Sequence, residues 1–564
     1  MLQIRCKNNN VTKSFPEGTS LLDIYQEFAD DIRLPYPVVS AKVNNVSQGL
    51  KFRVFQNRDV EFLDAREGSG HRVYVRSLSF VLYKATQDVL PGSKLFIEHS
   101  LCRGYYCNLK PAANGARGEA RQVTDEMVER IKQRMHEIID LDMPFRRTEA
   151  TTEEAVRVFA DRGFSDKVKL LETSGQSYSD YYTLGDTVDY YYGPLVPSAG
   201  YLQVWDVERY EQGLLLRVPD WHNPTRLAEK VAQPKTFELF AEKTRWDIIM
   251  RLSNAGDVNK AIQRGYASEL IQVSEALQEK KIVKIAEDIF DRCQQSRRNP
   301  IVLITGPSSS GKTTFCKRLS VQLLACGLRP LSVSTDDYFV NRADTPRLPN
   351  GDYDFDNIET VEYRLMEDHL LRLMQGERVE VPEYNFVTGQ REWRGKRLKL
   401  SPDTVLIIEG IHALNPLLTQ KVDDSLKYKI YISALTSISL DDHNWIPTRD
   451  NRLLRRIIRD YNKGAFTAQQ TIAQWKNVCE AEDRWIFPYQ ESADVMFNSA
   501  LNIEFAVLRI HAELILAQVP RNCPEYAEAH RLLKFIHFFL PVSDKEIPPT
   551  SIMREFVGGS SFKY

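Results

Sequence analysis

The sequence predicts an α/β protein of several domains, one of which contains a doubly wound parallel sheet. The chain has 564 residues, which is more than one hydrophobic core usually organises. Residues 300–314 place an apolar run, a Gly/Ser-rich loop and a helix-compatible stretch in that order. Two later apolar runs end in acids, at Asp336 and Glu409. In an open parallel sheet such strand ends face the ligand crevice.

Composition is that of an ordinary globular protein. Hydrophobic residues make up 43% of the chain and charged residues 27%, so disorder across the fold is not expected. The net charge of −2 gives no overall positive field that would attract nucleic acid. No run of 18 apolar residues or signal-peptide core occurs, and we expect a cytoplasmic protein that does not cross a membrane. The eight cysteines form no C-x-x-C pair and are expected to be free thiols.

Residues 1–66 are predicted to form short strands around one helix. Alternating apolar positions favour strands near residues 2–6, 38–43, 53–55 and 60–63, and residues 20–28 have a helical pattern. The segment Phe15-Pro-Glu-Gly-Thr-Ser-Leu-Leu-Asp, with later Val43-Asn-Asn and Asp59-Val-Glu-Phe-Leu, resembles the TGS domain of threonyl-tRNA synthetases. The resemblance implies a small β-grasp domain.

Residues 67–230 resemble the second additional domain of the same synthetases, an α+β unit. The motifs are Phe96-Ile-Glu-His-Ser, Gly104-Tyr-Tyr-Cys and Tyr192-Gly-Pro-Leu-Val-Pro-Ser-Ala-Gly. In that domain a His-x-x-x-His pair and a Cys-x-x-x-His pair form an editing or metal constellation. Here the first pair falls on Arg76 and Phe80, and the second region has Gly193-Pro-Leu. We therefore expect a scaffold or binding role rather than a zinc-dependent or deacylating one.

Helical patterns flank the predicted parallel-sheet domain at 298–505. Apolar residues at helical intervals in 231–297 predict a connector, and residues 500–540 predict two amphipathic helices. Residues 506–564 would then form a C-terminal helical extension.

The motif at residues 306–314 fits the phosphate-binding pattern G-x-x-x-x-G-K-[ST], and we call these residues the P-loop. Glycines let the backbone turn its N–H groups toward phosphate oxygens, and the next helix adds its positive end. Lys312 is predicted to reach the β and γ phosphates, and Thr313 to hold Mg²⁺. The predicted nucleotide-binding residues are Gly306, Pro307, Ser308, Ser309, Ser310, Gly311, Lys312, Thr313 and Thr314.

Two acids follow predicted strands. Asp336 is placed to reach both an acceptor hydroxyl and the metal, as the base in phosphoryl transfer to an alcohol must be. The alternative is that Asp336 caps the next turn. Glu409 ends the run Thr404-Val-Leu-Ile-Ile and suits Mg²⁺ or its bound water, opposite Thr313.

Residues 450–460 divide into a basic and an apolar helix face. The basic face carries Arg452, Arg455, Arg456 and Arg459, and the apolar face Leu453, Leu454, Ile457 and Ile458. A stripe of guanidinium groups can clamp a transferring phosphoryl group, so we expect a lid. The alternative is a solvated face paired with Asp450 and Asp460.

Two other ligand classes are excluded by missing residues. An EF-hand loop starting at Asp352 needs glycine at its sixth position and glutamate at its twelfth, where Asn357 and Tyr363 stand. The Asn-Lys-x-Asp motif that guanine recognition by GTPases requires does not occur.

The motifs of residues 298–505 together resemble the uridine kinase and phosphoribulokinase-like branch of P-loop kinases. Besides the P-loop and the arginine helix, they are Ser334-Thr-Asp-Asp-Tyr-Phe, Tyr353-Asp-Phe-Asp-Asn, Val381-Pro-Glu-Tyr-Asn-Phe and Ile408-Glu-Gly-Ile. The resemblance implies that Asp336 is the general base and that Asp356 holds ribose hydroxyls. It also implies that Tyr384 and Phe386 pack around the base of the acceptor, and that Arg456 and Arg459 bind substrate and phosphate.

The tail from Ile547-Pro-Pro-Thr to Ser561-Phe resembles that of bacterial-type kinases with synthetase-like N-terminal domains. Two positions depart from the kinase pattern. Gly389 stands where the family has a base-reading histidine, and Ala465 where its lid tends to carry an arginine. A site that lacks a hydrogen-bonding partner can change its substrate preference greatly.

We expect an ATP- and Mg²⁺-dependent kinase that phosphorylates the 5′-OH of a nucleoside, with Lys312, Asp336, Arg456 and Arg459 as catalytic residues. One alternative is a nucleotide-regulated RNA-binding protein whose synthetase-like domains bind tRNA. Another is a kinase for a different small hydroxyl acceptor, such as a sugar phosphate. The oligomeric state stays open.

Overall fold

The computed structural model describes residues 1–110, 123–296, 300–349 and 351–563. The predicted boundary between the connector and the parallel-sheet domain, at residues 297 and 298, lies outside the described residues. The other boundaries, at 66, 230 and 505, stay predictions.

The N-terminal segment folds as predicted, into a mixed sheet with one helix. The sheet has the order β2-β1-β7-β4-β5, with β1 antiparallel to β2 and parallel to β7. Helix α1 begins after Ser20, whose hydroxyl accepts a hydrogen bond from the Asp23 N–H. The elements are β1 (Leu2–Cys6), β2 (Val11–Phe15), β3 (Thr19–Ser20), α1 (Leu21–Phe28), β4 (Ser40–Val43), β5 (Val46–Gln48), β6 (Arg53–Val54) and β7 (Arg58–Leu63).

The next unit combines two antiparallel sheets with helices, which confirms the α+β prediction. The sheet orders are β13-β14-β9-β8 and β10-β11-β12. The elements are α2 (Gly68–Val89), β8 (Lys94–Leu101), β9 (Gly104–Lys110), α3 (Asp125–Asp140), β10 (Phe145–Thr151), α4 (Thr152–Ala160), α5 (Ser165–Thr173), β11 (Tyr178–Leu184), β12 (Thr187–Asp189), β13 (Asp206–Tyr210) and β14 (Gly213–Arg217).

Two of the positions where the synthetase ligands are missing lie side by side. A Cβ added at Gly193 would overlap the Arg76 guanidinium, which is buried over the ring of Tyr192 at 5.6 Å from its centroid. Burial lowers the pKa of Arg76 to about 10. The Arg76 guanidinium therefore occupies the space next to Gly193.

The connector is helical, as predicted. It comprises α6 (Pro234–Met250), α7 (Ala255–Gln263) and α8 (Ala267–Ser296).

The predicted doubly wound domain contains a five-stranded, wholly parallel sheet of order β16-β21-β15-β22-β23. Alternate residues of β15 join two different hydrophobic clusters, Ile301 and Leu303 on one face and Val302 and Ile304 on the other, so both faces are covered. The elements are β15 (Ile301–Thr305), α9 (Lys312–Ala325), β16 (Arg329–Ser334), α10 (Tyr363–Met374), β17 (Val379–Glu380), β18 (Glu383–Asn385), β19 (Gln390–Glu392), β20 (Arg397–Leu398), β21 (Thr404–Glu409), β22 (Lys427–Ser433), α11 (Thr448–Asn462), α12 (Ala468–Trp485) and β23 (Val495–Asn498).

The C-terminal helices join the two halves of the chain. They are α13 (Glu504–Leu516), α14 (Tyr526–Ile536) and the short α15 (Arg554–Val557). Phe505 and Phe535 share one core with Phe159 and Leu170 of the second unit and with Leu454 of α11. The synthetase-like and parallel-sheet parts are therefore packed on each other.

A buried charge cluster lies at this junction, and we call it the Lys167 cluster. Lys167 Nζ lies 2.9 Å from Asp441 Oδ1 and 3.0 Å from Asp189 Oδ1, and none of the three side chains is exposed. His443 Nδ1 lies 2.8 Å from Asp189 Oδ2. Since Asp441 and His443 lie in the loop between β22 and α11, the second unit holds the segment that leads into the arginine helix.

The helices of the described residues include none with the length and apolarity needed to cross a membrane. All eight cysteines are free thiols, as predicted.

Candidate active site

The P-loop joins β15 to α9 and requires its two glycines. A Cβ at Gly306 would overlap the carbonyl oxygen of Ile432 on the neighbouring strand. Gly311 has φ +86°, which favours glycine, and helix α9 begins at the next residue, Lys312. The first N–H groups of that helix have no partner within the helix, so the turn presents donors and the positive helix end at one point.

Side chains of the P-loop add further donors. The buried hydroxyls of Ser309 and Ser310 have no hydrogen-bond partner among the described residues. Lys312 Nζ donates to the carbonyl oxygen of Pro307 at 3.1 Å, and burial lowers the pKa of its ammonium group. Buried donors of this kind fit a ligand that brings several anionic oxygens, such as a nucleotide phosphate chain.

The two predicted acids meet at the same edge of the sheet. Glu409, the last residue of β21, is in register with Ile304 of β15 and Ser334 of β16. Asp336 follows β16 in a 3₁₀ turn. The cap of that turn is Ser334, whose hydroxyl accepts from the Asp336 N–H at 3.2 Å, so Asp336 does not have the capping role considered as an alternative.

These acids and Lys312 form one electrostatic group. Burial raises the pKa of Glu409 to about 7, although the charge of Lys312 opposes the rise. Burial also raises the pKa of Asp336, again against the charge of Lys312. A carboxylate with a raised pKa accepts a proton more readily than an exposed one, as a general base must.

Gly410 holds the Asp336 turn and Glu409 together. A Cβ at this position would overlap the hydroxyl of Thr335, and the Gly410 N–H donates to the Ile304 carbonyl at 3.1 Å. In the sequence Gly410 is only part of the Ile408-Glu-Gly-Ile motif, and its packing role comes from the structure.

The residues present fit a magnesium ion shared with phosphate, and the assignment of that ion to Thr313 and Glu409 stays a prediction. Within the described ranges, no three His, Cys, Asp or Glu side chains converge on a metal position by themselves. Mg²⁺ in phosphotransfer sites is usually held by one or two carboxylates together with substrate phosphates and water. Glu409 and Asp336, beside the Thr313 end of the P-loop, supply that number of carboxylates.

The four arginines of α11 divide into two pairs, which corrects the prediction of a fourfold clamp. Arg452 is 1% exposed and binds the equally buried Glu482 at 2.5 and 2.7 Å. Arg455 is fully buried and forms a bidentate pair with Glu504. Both guanidinium groups also donate to P-loop carbonyls, at 3.1 Å for Arg452 and 3.4 Å for Arg455. These two arginines therefore support the loop through its backbone carbonyls.

The other pair, Arg456 and Arg459, is more accessible. Arg456 Nη1 donates to the Ser308 hydroxyl at 3.0 Å, and its side chain is 15% exposed. Both contact Asp460, at 3.4 and 3.1 Å, as the alternative of a paired face expected for that acid. Of the two arginines predicted to contact substrate and phosphate, Arg456 therefore lies against the P-loop, and Arg459 shares Asp460 with it.

The residues predicted to bind the acceptor lie on two segments, one with Asp356 and the other with Tyr384 and Phe386. Burial raises the pKa of Asp356 to about 6, and the positive charge of Arg456 opposes the rise. Tyr384 and Phe386 have ring centroids 5.1 Å apart, and both lie against Phe339, at 5.5 and 6.4 Å. Phe386 is 61% exposed, which leaves an aromatic surface open to a ligand.

The sequence did not single out Arg342, which occupies the space beside Gly389. Gly389 has φ +69°, and a Cβ there would lie 2.8 Å from Arg342 Nε. The guanidinium donates to the Phe386 carbonyl at 2.7 Å. The side of the aromatic surface where the family has a histidine thus carries a permanent positive charge.

Comparison with known proteins separates the chain into two parts. The model of the "Phosphoribulokinase / Uridine kinase family" matches residues 301–504. The uridine kinase of Mycoplasma genitalium is 30% identical over 178 residues, which are 32% of this chain and 74% of that protein.

The threonine–tRNA ligase of Syntrophomonas wolfei is 28% identical over 204 residues in the N-terminal region, 36% of this chain. The match spans only 30% of that ligase. A solved structure described as a possible uridine kinase from Bacillus stearothermophilus is 18% identical, with a TM-score of 0.23, and covers 35% of this chain and 89% of its own. The family model falls on the part whose motifs resemble the kinases, and the ligase match falls on the N-terminal part whose motifs resemble the synthetases.

Proposed function

Because the chain belongs to the phosphoribulokinase / uridine kinase family, we propose that it transfers a phosphoryl group from ATP to the 5′-hydroxyl of a nucleoside. The observation that carries the proposal is that Glu409 and the Asp336 turn end neighbouring strands at the edge of the parallel sheet where the P-loop leads from β15 to Lys312. Phosphoryl transfer needs a base, a phosphate-binding cation and an acidic metal partner in one place.

Asp336 is the proposed general base. It takes the proton from the acceptor hydroxyl as the oxygen attacks phosphorus, and its raised pKa suits this step. Lys312 turns from the Pro307 carbonyl to the phosphates, and Arg456 and Arg459 neutralise charge on the transferring group. Magnesium, when bound through Thr313 and Glu409, supplies further charge neutralisation on the phosphate oxygens.

The proposed acceptor-binding residues are Asp356, Tyr384 and Phe386. Asp356 accepts hydrogen bonds from sugar hydroxyls, and the rings of Tyr384 and Phe386 stack on the base. Arg342 offers donors to a carbonyl-rich base or to an anionic acceptor. A sugar phosphate therefore belongs among the acceptors to be tested.

The test is ADP release by the purified protein with ATP, Mg²⁺ and a panel of nucleosides and sugar phosphates. Asp336→Asn should lower kcat by about 10²- to 10⁴-fold while ADP still binds. Asp344→Asn removes an exposed carboxylate and should leave kcat unchanged. No acceptor-dependent ADP release above the Asp336→Asn level would refute kinase activity on these acceptors.

A second function is proposed for the N-terminal half because of its 28% identity with a threonine–tRNA ligase. We propose that this half binds RNA. Filter retention of tRNA should then persist at physiological salt, whereas retention that disappears as salt is raised would indicate nonspecific phosphate contact.

A further inference from the structure

The C-terminal segment of residues 551–557 packs against the P-loop. Ile552 and Phe556 are each 1% exposed and share a core with Ile304 of β15 and Phe315 of α9. The Ile552 side chain lies so close to Gly311 that a Cβ there would overlap it. This segment lies beyond the residues that match the family model.

Phe556 also ties the segment to the arginine helix. The Arg455 guanidinium lies 4.8 Å from the centroid of the Phe556 ring, and Asn462 Nδ2 donates to the Phe556 carbonyl at 3.0 Å. The segment therefore touches both the phosphate-binding turn and the helix that supplies the phosphate-binding arginines.

Glu555 projects from this segment onto the start of α9. Its Oε2 accepts from the Thr314 N–H at 3.1 Å and from the Thr314 hydroxyl at 2.7 Å. Thr314 is the third residue of the helix, in the first turn, where N–H groups lack helical partners and anions bind. The chain's own carboxylate thus lies on donors that the P-loop motif offers to a nucleotide phosphate.

We propose that Glu555 is a built-in competitor of the nucleotide, so that ATP binds only as Glu555 leaves Thr314. The inference rests on the proposed function, because it requires that the P-loop bind a nucleotide. Two anions cannot share the same pair of donors, and Glu555 adds a third negative charge to those of Asp336 and Glu409 around Lys312.

Release is local. Ile552, Met553 and Phe556 are at most 1% exposed, so the segment stays anchored while the flexible Glu555 side chain rotates away. Gly558 and Gly559 follow α15 with φ +87° and +73°, and this backbone freedom lets the short helix adjust. Loss of the Glu555 contact is therefore expected on nucleotide binding, without unfolding of the tail.

The experiment is calorimetric titration of the full chain with MgADP. Glu555→Gln removes the negative charge at nearly constant size, and Glu555→Asp shortens the side chain and keeps the charge. Both should bind MgADP more tightly than the unaltered protein, Glu555→Gln by about tenfold, the scale of one hydrogen bond to a charged group. Glu546→Gln is the control, because it removes the same charge from an exposed residue of the same tail. It should leave Kd unchanged.

Hydrogen exchange gives a second measurement. Without nucleotide, the Thr314 amide should exchange faster in Glu555→Gln than in the unaltered protein, because its carboxylate acceptor is lost, and MgADP should slow this exchange in both forms. Equal or weaker MgADP binding by both Glu555 variants would overturn the competition and leave nucleotide binding intact. No binding by any form would overturn nucleotide binding and the competition together, so the two failures are distinguishable.

Discussion

Replacing Arg452 by methionine should destabilise the protein, whereas the same change at Arg456 should mainly slow catalysis. The two arginines are four residues apart on α11. Arg452 is paired with the buried Glu482, whereas Arg456 donates to the Ser308 hydroxyl of the P-loop. The comparison tests whether the arginine helix has one supporting and one catalytic pair.

The magnitudes follow from burial. Arg452→Met leaves the Glu482 carboxylate, 1% exposed, with the Ser308 N–H at 3.0 Å in place of its cation. Removing one partner of a buried ion pair costs about 3 to 5 kcal/mol. Because the Ser308 N–H still donates to Glu482, we expect a cost near the lower value, about 3 kcal/mol. Arg456 is 15% exposed and 3.4 Å from Asp460, a contact worth about 1 kcal/mol or less. The two free energies of unfolding should differ by about 2 kcal/mol, a factor of roughly 30 in the folded population.

Urea unfolding followed by tryptophan fluorescence measures the difference. Trp475 is a local probe, because its ring lies 5.3 Å from the Arg452 guanidinium. Arg456→Met should unfold close to the unaltered midpoint and lose about 10²-fold in kcat. Arg452→Met, assayed at a temperature where it is folded, should keep kcat within about tenfold of the unaltered protein.

The double variant Arg452→Met with Glu482→Leu is the control for the ion pair. It removes both charges and should recover much of the stability lost in Arg452→Met. An Arg452→Met protein with an unaltered urea midpoint and a kcat as low as that of Arg456→Met would show that Arg452 acts on the phosphoryl group, and would refute the division into two pairs.

Two further changes test the acid edge of the sheet. Glu409 has a pKa near 7 in the fold, above its ordinary value of 4.5, so its contribution to stability is present below about pH 4.5 and is lost as pH rises through about 7. The melting temperature of the ligand-free protein should therefore fall between about pH 4.5 and 7, and Glu409→Gln should flatten this fall; an unchanged profile would contradict the assignment. Gly410→Ala should force Thr335 and the adjoining Asp336 turn aside and lower kcat by about tenfold or more. Gly68→Ala, whose nearest atom would lie 3.6 Å away, should keep its kcat, and a Gly410→Ala enzyme with full kcat would show that the turn adapts.

The parts of the site that the sequence predicted are those that neighbouring residues specify. The P-loop is continuous in sequence, and Asp336 and Glu409 each end an apolar strand. Parallel pairing then brings such strand ends together whatever the rest of the chain does. For this reason the acid edge and the phosphate-binding turn could be predicted before the structure.

The parts that the sequence did not predict depend on partners that are distant along the chain. Helical periodicity put Arg452 and Arg455 on the face of Arg456, but their acids lie 30 and 49 residues later. Glu555 is 241 residues from Thr314. Periodicity gives the direction in which a side chain points, and only tertiary packing determines which group it meets.

The Lys167 cluster limits how this protein can be recombined. Lys167 belongs to the synthetase-like half, and Asp441 belongs to the loop ahead of the arginine helix. Grafting a kinase half from a relative without an acid at that position would remove one of the two carboxylates within 3.0 Å of the buried Lys167 ammonium group and leave Asp189 as its closest partner, which should destabilise the junction. Chimaeras made at the connector should therefore fold well when Lys167 and Asp441 are inherited together, and the two halves are expected to evolve as one unit.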